Sequence, residues 1–285
     1  MANKSSSLQK TLKRLNATLR NGLEVARFGG LKTDEEPSPY KVKHQTKVFR
    51  LRHYFPDRDL EKQPVLLLGP PLMLHTEVYD MSESVSSVRQ LNQYGVAAWV
   101  VDFGAPEREE GGMERSLTDH VLAVSQSIDL VAEKTGQPVH VAGYSQGGLF
   151  CYMAAAYRKS DNIASVITFG SPVDMSHQVP NWLPTELVQT VSEKFASNIL
   201  ANTGVPGWLI SAGFQSLDPI AFMRHRVKFL MQLHNRDALL PREKQRQFIE
   251  GGGFVGYAGP AIAELMAIAG ASNRLMSGGF DFLGQ

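Results

Sequence analysis

The chain has 285 residues, with 29 Lys and Arg against 28 Asp and Glu and a formal net charge of +1. Such balance argues against nucleic acid as a partner, which needs a basic face that neutralises several phosphates. The single cysteine, Cys151, excludes an intramolecular disulfide and a thiolate metal cluster. A hydrophobic content of 43% suits one large α/β domain with an insertion, or two small domains. No stretch approaches 18 consecutive apolar residues, and the amino terminus lacks the apolar core of a secretory signal, so a soluble protein of a reducing cytoplasm is expected.

Leu8, Leu12, Leu15, Leu19 and Leu23 fall on one stripe of a helix, with Lys10, Lys13, Arg14 and Arg20 on its flanks. This stripe within residues 1–31 is expected to dock on its own protein or on a partner subunit; the alternative is peripheral contact with an anionic lipid surface, leaving open a position beside a membrane or a lipid inclusion. Residues 32–40, with Pro37, Pro39 and the acidic run Asp34, Glu35 and Glu36, read as a linker. Lys41 to Tyr54 alternates enough for one or two edge strands.

The pattern then changes to strands separated by helices: Val65 to Gly69, a helix near Glu83 to Gln93, Val96 to Phe103, a helix near Leu117 to Thr135, Val139 to Ala142, a helix from Leu149 to Arg158, and Ile163 to Gly170. Alternation of this kind implies a parallel sheet. Val65 to Leu68 and Val96 to Val101 are continuous apolar runs, as strands covered on both faces require. The expected fold is α/β, an open and doubly wound, mostly parallel sheet over residues 41–173. From Asp174 to about Gly270 no further convincing parallel strand appears, and residues 174–285 read as a helical cap or lid with a truncated carboxyl-terminal segment, to which Trp182, Trp208, Phe214, Phe222 and Met223 supply bulky apolar surface. Cys151 is expected to be a small buried hydrophobe.

Gly143-Tyr144-Ser145-Gln146-Gly147-Gly148 follows the strand ending at Ala142 and opens a helix. That is the G-x-S-x-G pattern of an acyl-transfer serine, in which glycines permit a sharp turn that lifts the hydroxyl clear of the sheet. The N–H of Gln146 at the helix start is one candidate oxyanion donor. The second should come from the loop after Val65 to Gly69, which reads Pro70-Pro71-Leu72-Met73; proline has no N–H, which makes Leu72 the choice and Met73 the alternative. A serine also needs a histidine oriented by a carboxylate. Asp174, after the next strand, is the candidate acid, although a loop-capping carboxylate is the plainer reading. His177 and His234 are the only later imidazoles that a cap could bring over Ser145, and no histidine occurs beyond His234, so no base is assigned. Gly251 to Gly256 satisfies G-x-G-x-x-G but follows a charged helical stretch instead of a strand, so it reads as a helix terminus with a glycine loop and implies no dinucleotide. The eight histidines show no metal-ligand spacing, and neither metal nor cofactor is expected.

Pro64-Val65-Leu66-Leu67-Leu68-Gly69-Pro70-Pro71, Tyr79-Asp80-Met81, the Ser145 motif, His234-Asn235-Arg236-Asp237, Leu240-Pro241, Asn273-Arg274-Leu275 and Gly278-Gly279-Phe280 together resemble the polyhydroxyalkanoate synthase family of α/β-hydrolase proteins. The likeness runs from about Tyr40 to the end. It extends to the synthase-like lipase region that precedes an acyl-CoA synthetase domain in some fused proteins. The resemblance implies acyl transfer from an acyl-CoA thioester or a lipid ester through a covalent acyl-enzyme. The family usually has cysteine where this chain has Ser145, which favours hydrolysis or transfer to an alcohol over polymer growth. The family's catalytic aspartate and histidine correspond to positions beyond Gln285, so a truncated or split chain, lacking the last core strands, is expected. The rival expectation is a catalytically incomplete module that binds lipid or a partner subunit.

Overall fold

The computed structural model describes residues 2–58, 63–174, 194, 196–269, 274–277 and 281–284. His177, Trp182, Asn273 and Gly278 to Phe280 lie outside the described residues. A six-stranded sheet has the order β1-β2-β4-β3-β5-β6. Its strands are β1 (Tyr40–Gln45), β2 (Arg50–Tyr54), β3 (Val65–Gly69), β4 (Ala97–Asp102), β5 (Val139–Tyr144) and β6 (Ile163–Phe169). β1, β2 and β4 pair antiparallel; β4, β3, β5 and β6 pair parallel. This is the α/β-hydrolase architecture, a mostly parallel sheet wrapped by helices.

Successive residues of a strand point to opposite faces, and both faces of the central strands are covered. Val65 and Leu67, Ala97, Trp99 and Val101, and Val139 and Val141 join one large core with helices α3 (Leu117–Thr135) and α4 (Gln146–Tyr157). Leu68, Ala98, Val100 and Ala142 face the other way, toward Tyr79 and Val88 of α2 (Ser87–Gln93). Hence the continuous apolar runs in the sequence. β6 is the last strand of the described sheet, and its Val166, Ile167 and Phe169 are exposed.

α3 has the expected bounds because both ends carry strong signals. Ser116 and Asp119 form a reciprocal capping box, and Gly136 ends the helix at φ 66°. Leu117, Val121, Val124, Ile128 and Val131 recur at helical spacing and are buried. Two helix starts differ from expectation. α2 begins at Ser87, four residues beyond Glu83, because the Ser86 hydroxyl accepts from the Arg89 N–H and donates to buried Asp80. α4 begins at Gln146, three residues before Leu149, because Gly147 and Gly148 serve as its first turn.

Three further helices bear on the site: α5 (Gly207–Leu217), α6 (Pro219–Met231) and α7 (Gly259–Ala269). α7 is tied to α3 through the Leu117 N–H, which donates to Glu264. The amino-terminal helix α1 (Ala2–Phe28) does not dock its leucine stripe on its own protein, one of the two expected docking surfaces. Its polar side faces the protein: Asn21 donates to the Leu233 carbonyl, and Arg236 pairs with Glu24 at 2.7 Å. The leucine stripe points away, with Leu8 67% and Leu23 71% exposed. Periodicity identified the stripe, but the partners of Asn21 and Glu24 determine which side turns inward.

Candidate active site

Ser145 sits between β5 and α4 at φ 53° and ψ −122°. A non-glycine residue there carries roughly 1–3 kcal/mol of backbone strain, which must be held by its surroundings. The Ser145 N–H donates to Phe169 of β6 at 2.8 Å, and its carbonyl accepts from Gly148. Packing fixes the rest. A β-carbon on Gly147 would stand 1.8 Å from the Gly69 carbonyl oxygen, and one on Gly143 would stand 2.1 Å from the Gly147 carbonyl carbon. Glycine is therefore required so that β3, β5 and α4 can meet. The Ser145 side chain makes no capping hydrogen bond to α4, so its hydroxyl is not used to hold the helix. Gln146 is the first residue of α4; its N–H has no acceptor within the helix and lies at the positive end of the dipole.

Tyr79 belongs to one of the motifs that carry the family resemblance, but the sequence assigns it no role. Its buried hydroxyl donates to the Gly69 carbonyl at 2.7 Å and accepts from the Tyr144 N–H at 3.1 Å. It thereby clamps the end of β3 to the residue before Ser145. Burial raises its phenol pKa, so it stays neutral and able to donate.

The loop after β3 makes a turn closed by the Leu74 N–H donating to the Pro71 carbonyl. Within it the Leu72 side chain is buried in the main core, whereas Pro71, Met73 and Leu74 line the cavity beside Ser145. The glycine segment Gly251 to Gly256 straps this turn: the His75 N–H donates to Gly253, and the Val255 N–H to Met73. Its glycine-rich character thus serves a backbone contact, with Gly251 at φ 140°.

Ser145 lines a cavity of about 900 Å³. Tyr144 and Phe169 flank the serine; Leu66, Leu68 and Val78 form the floor from the sheet side; Phe214, Leu217 and Phe222 of α5 and α6 form the opposite wall. The lining is predominantly hydrophobic, which suits an acyl chain and disfavours a charged ligand.

The candidate acid and bases are dispersed. Asp174 is exposed, five residues beyond β6, and is not among the lining residues. His234 bonds the Met231 carbonyl at the end of α6. His140 bonds Ser165 across β5 and β6. His75 lies 3.7 Å from Glu77. No histidine lines the Ser145 cavity among the described residues. Cys151 is buried as expected, its thiol pushed up to about 12 by burial, which keeps it protonated and unreactive. Among the described residues no helix is long and apolar enough to cross a membrane.

Against known proteins, the chain is 23% identical over 267 residues to the poly(3-hydroxyalkanoate) polymerase subunit PhaC of Haloarcula marismortui, covering 88% of this chain and 54% of that one. It is 26% identical over 163 residues to the subunit of the same description from Thiocystis violacea, covering 56% and 44%. The chain thus spans about half the length of these curated relatives. A solved soluble variant of monoglyceride lipase from Saccharomyces cerevisiae shares 12% identity at a TM-score of 0.43, covering 83% of this chain and 70% of that one. The family model described as palmitoyl protein thioesterase matches residues 71–251, which include the Ser145 turn, the Tyr79 clamp and both helices of the far cavity wall. A match over more than half of its length makes the chain a member of the palmitoyl protein thioesterase family, with an α/β-hydrolase fold and kinship to polyhydroxyalkanoate synthases.

Proposed function

We propose that the chain catalyses serine-dependent acyl transfer, or hydrolysis of an ester or thioester, on fatty acyl or hydroxyacyl substrates. Ser145 Oγ would attack the carbonyl carbon of an acyl-CoA or lipid ester; the bond to the thiol or alcohol breaks, and the leaving group takes a proton. Water or an alcohol then attacks the acyl-serine and restores the hydroxyl. In this reading the N–H groups of Gln146 and Leu72 receive the oxyanion, and Asp174 orients an imidazole that no described residue supplies. The division into an amino-terminal helix (1–31), a linker (32–40), a hydrolase core (41–173) and a cap (174–285) belongs to the same proposal. The observation that carries it is a strained serine at a helix start on the wall of a large apolar cavity. Acyl specificity would come from the cap wall.

A second reading has support of its own. The described cavity lining contains no histidine, and β6 exposes apolar side chains at the sheet edge. A module that binds lipid or a partner subunit, or one whose base comes from another segment, accounts for both. The outward leucine stripe of α1 fits peripheral contact with a lipid surface in either case. A fluorophosphonate probe separates the two: the catalytic reading expects labelling that Ser145→Ala abolishes, and absence of labelling puts the binding module ahead.

A further inference from the structure

α6 has two apolar sides. Phe222 reaches the Ser145 cavity, and Phe229 packs with Leu233 and Leu31 in a small core. On the other side Ile220, Met223, Val227 and Leu230 recur at helical spacing and are all exposed. Leu217 lies just before the Asp218-Pro219 turn that joins α5 to α6. It is 78% exposed and also lines the cavity; Ile220, just after the turn, is 72% exposed. Single exposed hydrophobics are ordinary, whereas an exposed helical stripe that continues from a residue lining an apolar cavity, Leu217, marks a contact surface.

The charges on these elements identify what it contacts. Between Gly204 and Arg236 the basic residues are Arg224, Arg226, Lys228 and Arg236, and the only acid is Asp218. That carboxylate already caps α6 by accepting from the Ala221 N–H. α1 repeats the arrangement, with Lys4, Lys10, Lys13, Arg14 and Arg20 and no acid before Glu24. This segregation occurs in a chain of nearly equal acids and bases. Docking a second copy stripe to stripe would bring bases against bases, whereas an anionic lipid surface accepts both the apolar side chains and their basic flanks. α1 is fastened to the carboxyl end of α6 and the residues after it, through Asn21 to Leu233 and Glu24 to Arg236, so the two helices belong to one packed unit.

We infer that the α5–α6 hairpin is an interfacial anchor, which inserts Leu217 and Ile220 into an anionic lipid surface and holds the mouth of the Ser145 cavity there. This extends the lipid-surface reading of α1 in the proposed function to the element that positions the cavity, and the two contacts are tested separately. The test is co-sedimentation of the full chain with vesicles of phosphatidylcholine alone and of equimolar phosphatidylcholine and phosphatidylglycerol. Partition onto the anionic vesicles that weakens with salt is expected. Leu217→Asp with Ile220→Asp should lower it about tenfold or more, since a charge replaces each inserted side chain. Ser145→Ala should bind as the parent does, whether or not the serine is reactive. Hairpin variants that bind normally while Leu12→Asp with Leu19→Asp does not would overturn the anchor and leave the α1 contact standing. Loss with the hairpin variants alone would uphold the anchor and remove α1. Equal partition onto neutral vesicles, no partition at all, or a dimer that Leu12→Asp dissolves would overturn the inference outright. Both pairs of sites are exposed, and an unchanged thermal melt verifies that each variant is folded.

Discussion

Where β3, β5 and α4 converge behind Ser145, the backbones approach so closely that a methyl group on Gly143 or Gly147 would overlap main-chain atoms. Across the same cavity, α5 and α6 offer Phe214, Leu217 and Phe222 from helices whose outer surfaces are open to solvent. One wall is determined by main-chain contacts with no slack; the other is built of side chains that can move or be exchanged. Such a division suits a site in which the reacting atom must stay put while the far wall adapts to the length and shape of what enters.

The largest effect should follow from disturbing the tight wall. Gly147→Ala sets a carbon against the Gly69 carbonyl, and overpacking against backbone that cannot yield is expected to cost about 3 kcal/mol or more. Thermal melting should show a large fall, and any fluorophosphonate labelling of Ser145 should disappear with it. A variant that melts and labels like the parent would erase the contrast between the walls.

The sheet and the helices packed on it, on the side of the tight wall, should also be acid-sensitive. His120 of α3 is buried beside Phe103 and Phe150, and burial lowers its pKa from 6.5 to about 4. As pH falls below 6.5 the unfolded chain binds a proton that the folded chain refuses until about 4. Stability is therefore complete above the unfolded value and drains away across that interval, by about 3 kcal/mol for this one group. His53, stacked on Trp99 and lowered to about 4 chiefly by its own burial, adds to the slope. Melting temperature should fall between pH 6.5 and 4, and His120→Leu should flatten roughly half of that fall. An unchanged profile in the variant would mean that His120 charges freely in the folded state.

The same contrast explains what could be read from the sequence. The strands were legible because Val65 to Leu68 and Val96 to Val101 are apolar on both faces, a property local to each run. α3 was legible as a helix near Leu117 to Thr135, and the Ser116–Asp119 box and Gly136 that hold its ends are likewise local to the run. The turn at Ser145 was legible because its glycines are adjacent in the chain. The clamp made by Tyr79 was not, although its motif is recognisable, since its two partners lie ten and 65 residues away and nothing near it in the chain specifies a clamp. The orientation of α1 was hidden for the same reason: Glu24 is held inward by Arg236, 212 residues on, which also keeps its carboxyl down at about 2. Local chemistry gives an amphipathic helix a face, and only a distant partner decides which way that face turns.

The smallest stability change should come from the pliable wall, where a change of preference is expected in its place. Phe222 is half-buried, with the Arg226 guanidinium 5.4 Å from its ring centre on one side and the cavity on the other. Because truncating a fully buried Phe costs roughly 3–5 kcal/mol, a half-buried one on an exposed hairpin should cost about 1 kcal/mol, a shift of only about 2 °C in a chain of this size. The space released lies inside the cavity. Alkyl fluorophosphonates of increasing chain length should therefore label Phe222→Ala with an optimum moved to longer or bulkier chains, while the parent favours shorter ones. If the optimum stays fixed, the acyl chain does not lie against α6, and the cavity wall opposite Ser145 must be assigned to the strap at Phe248 and Phe254, which border the same space.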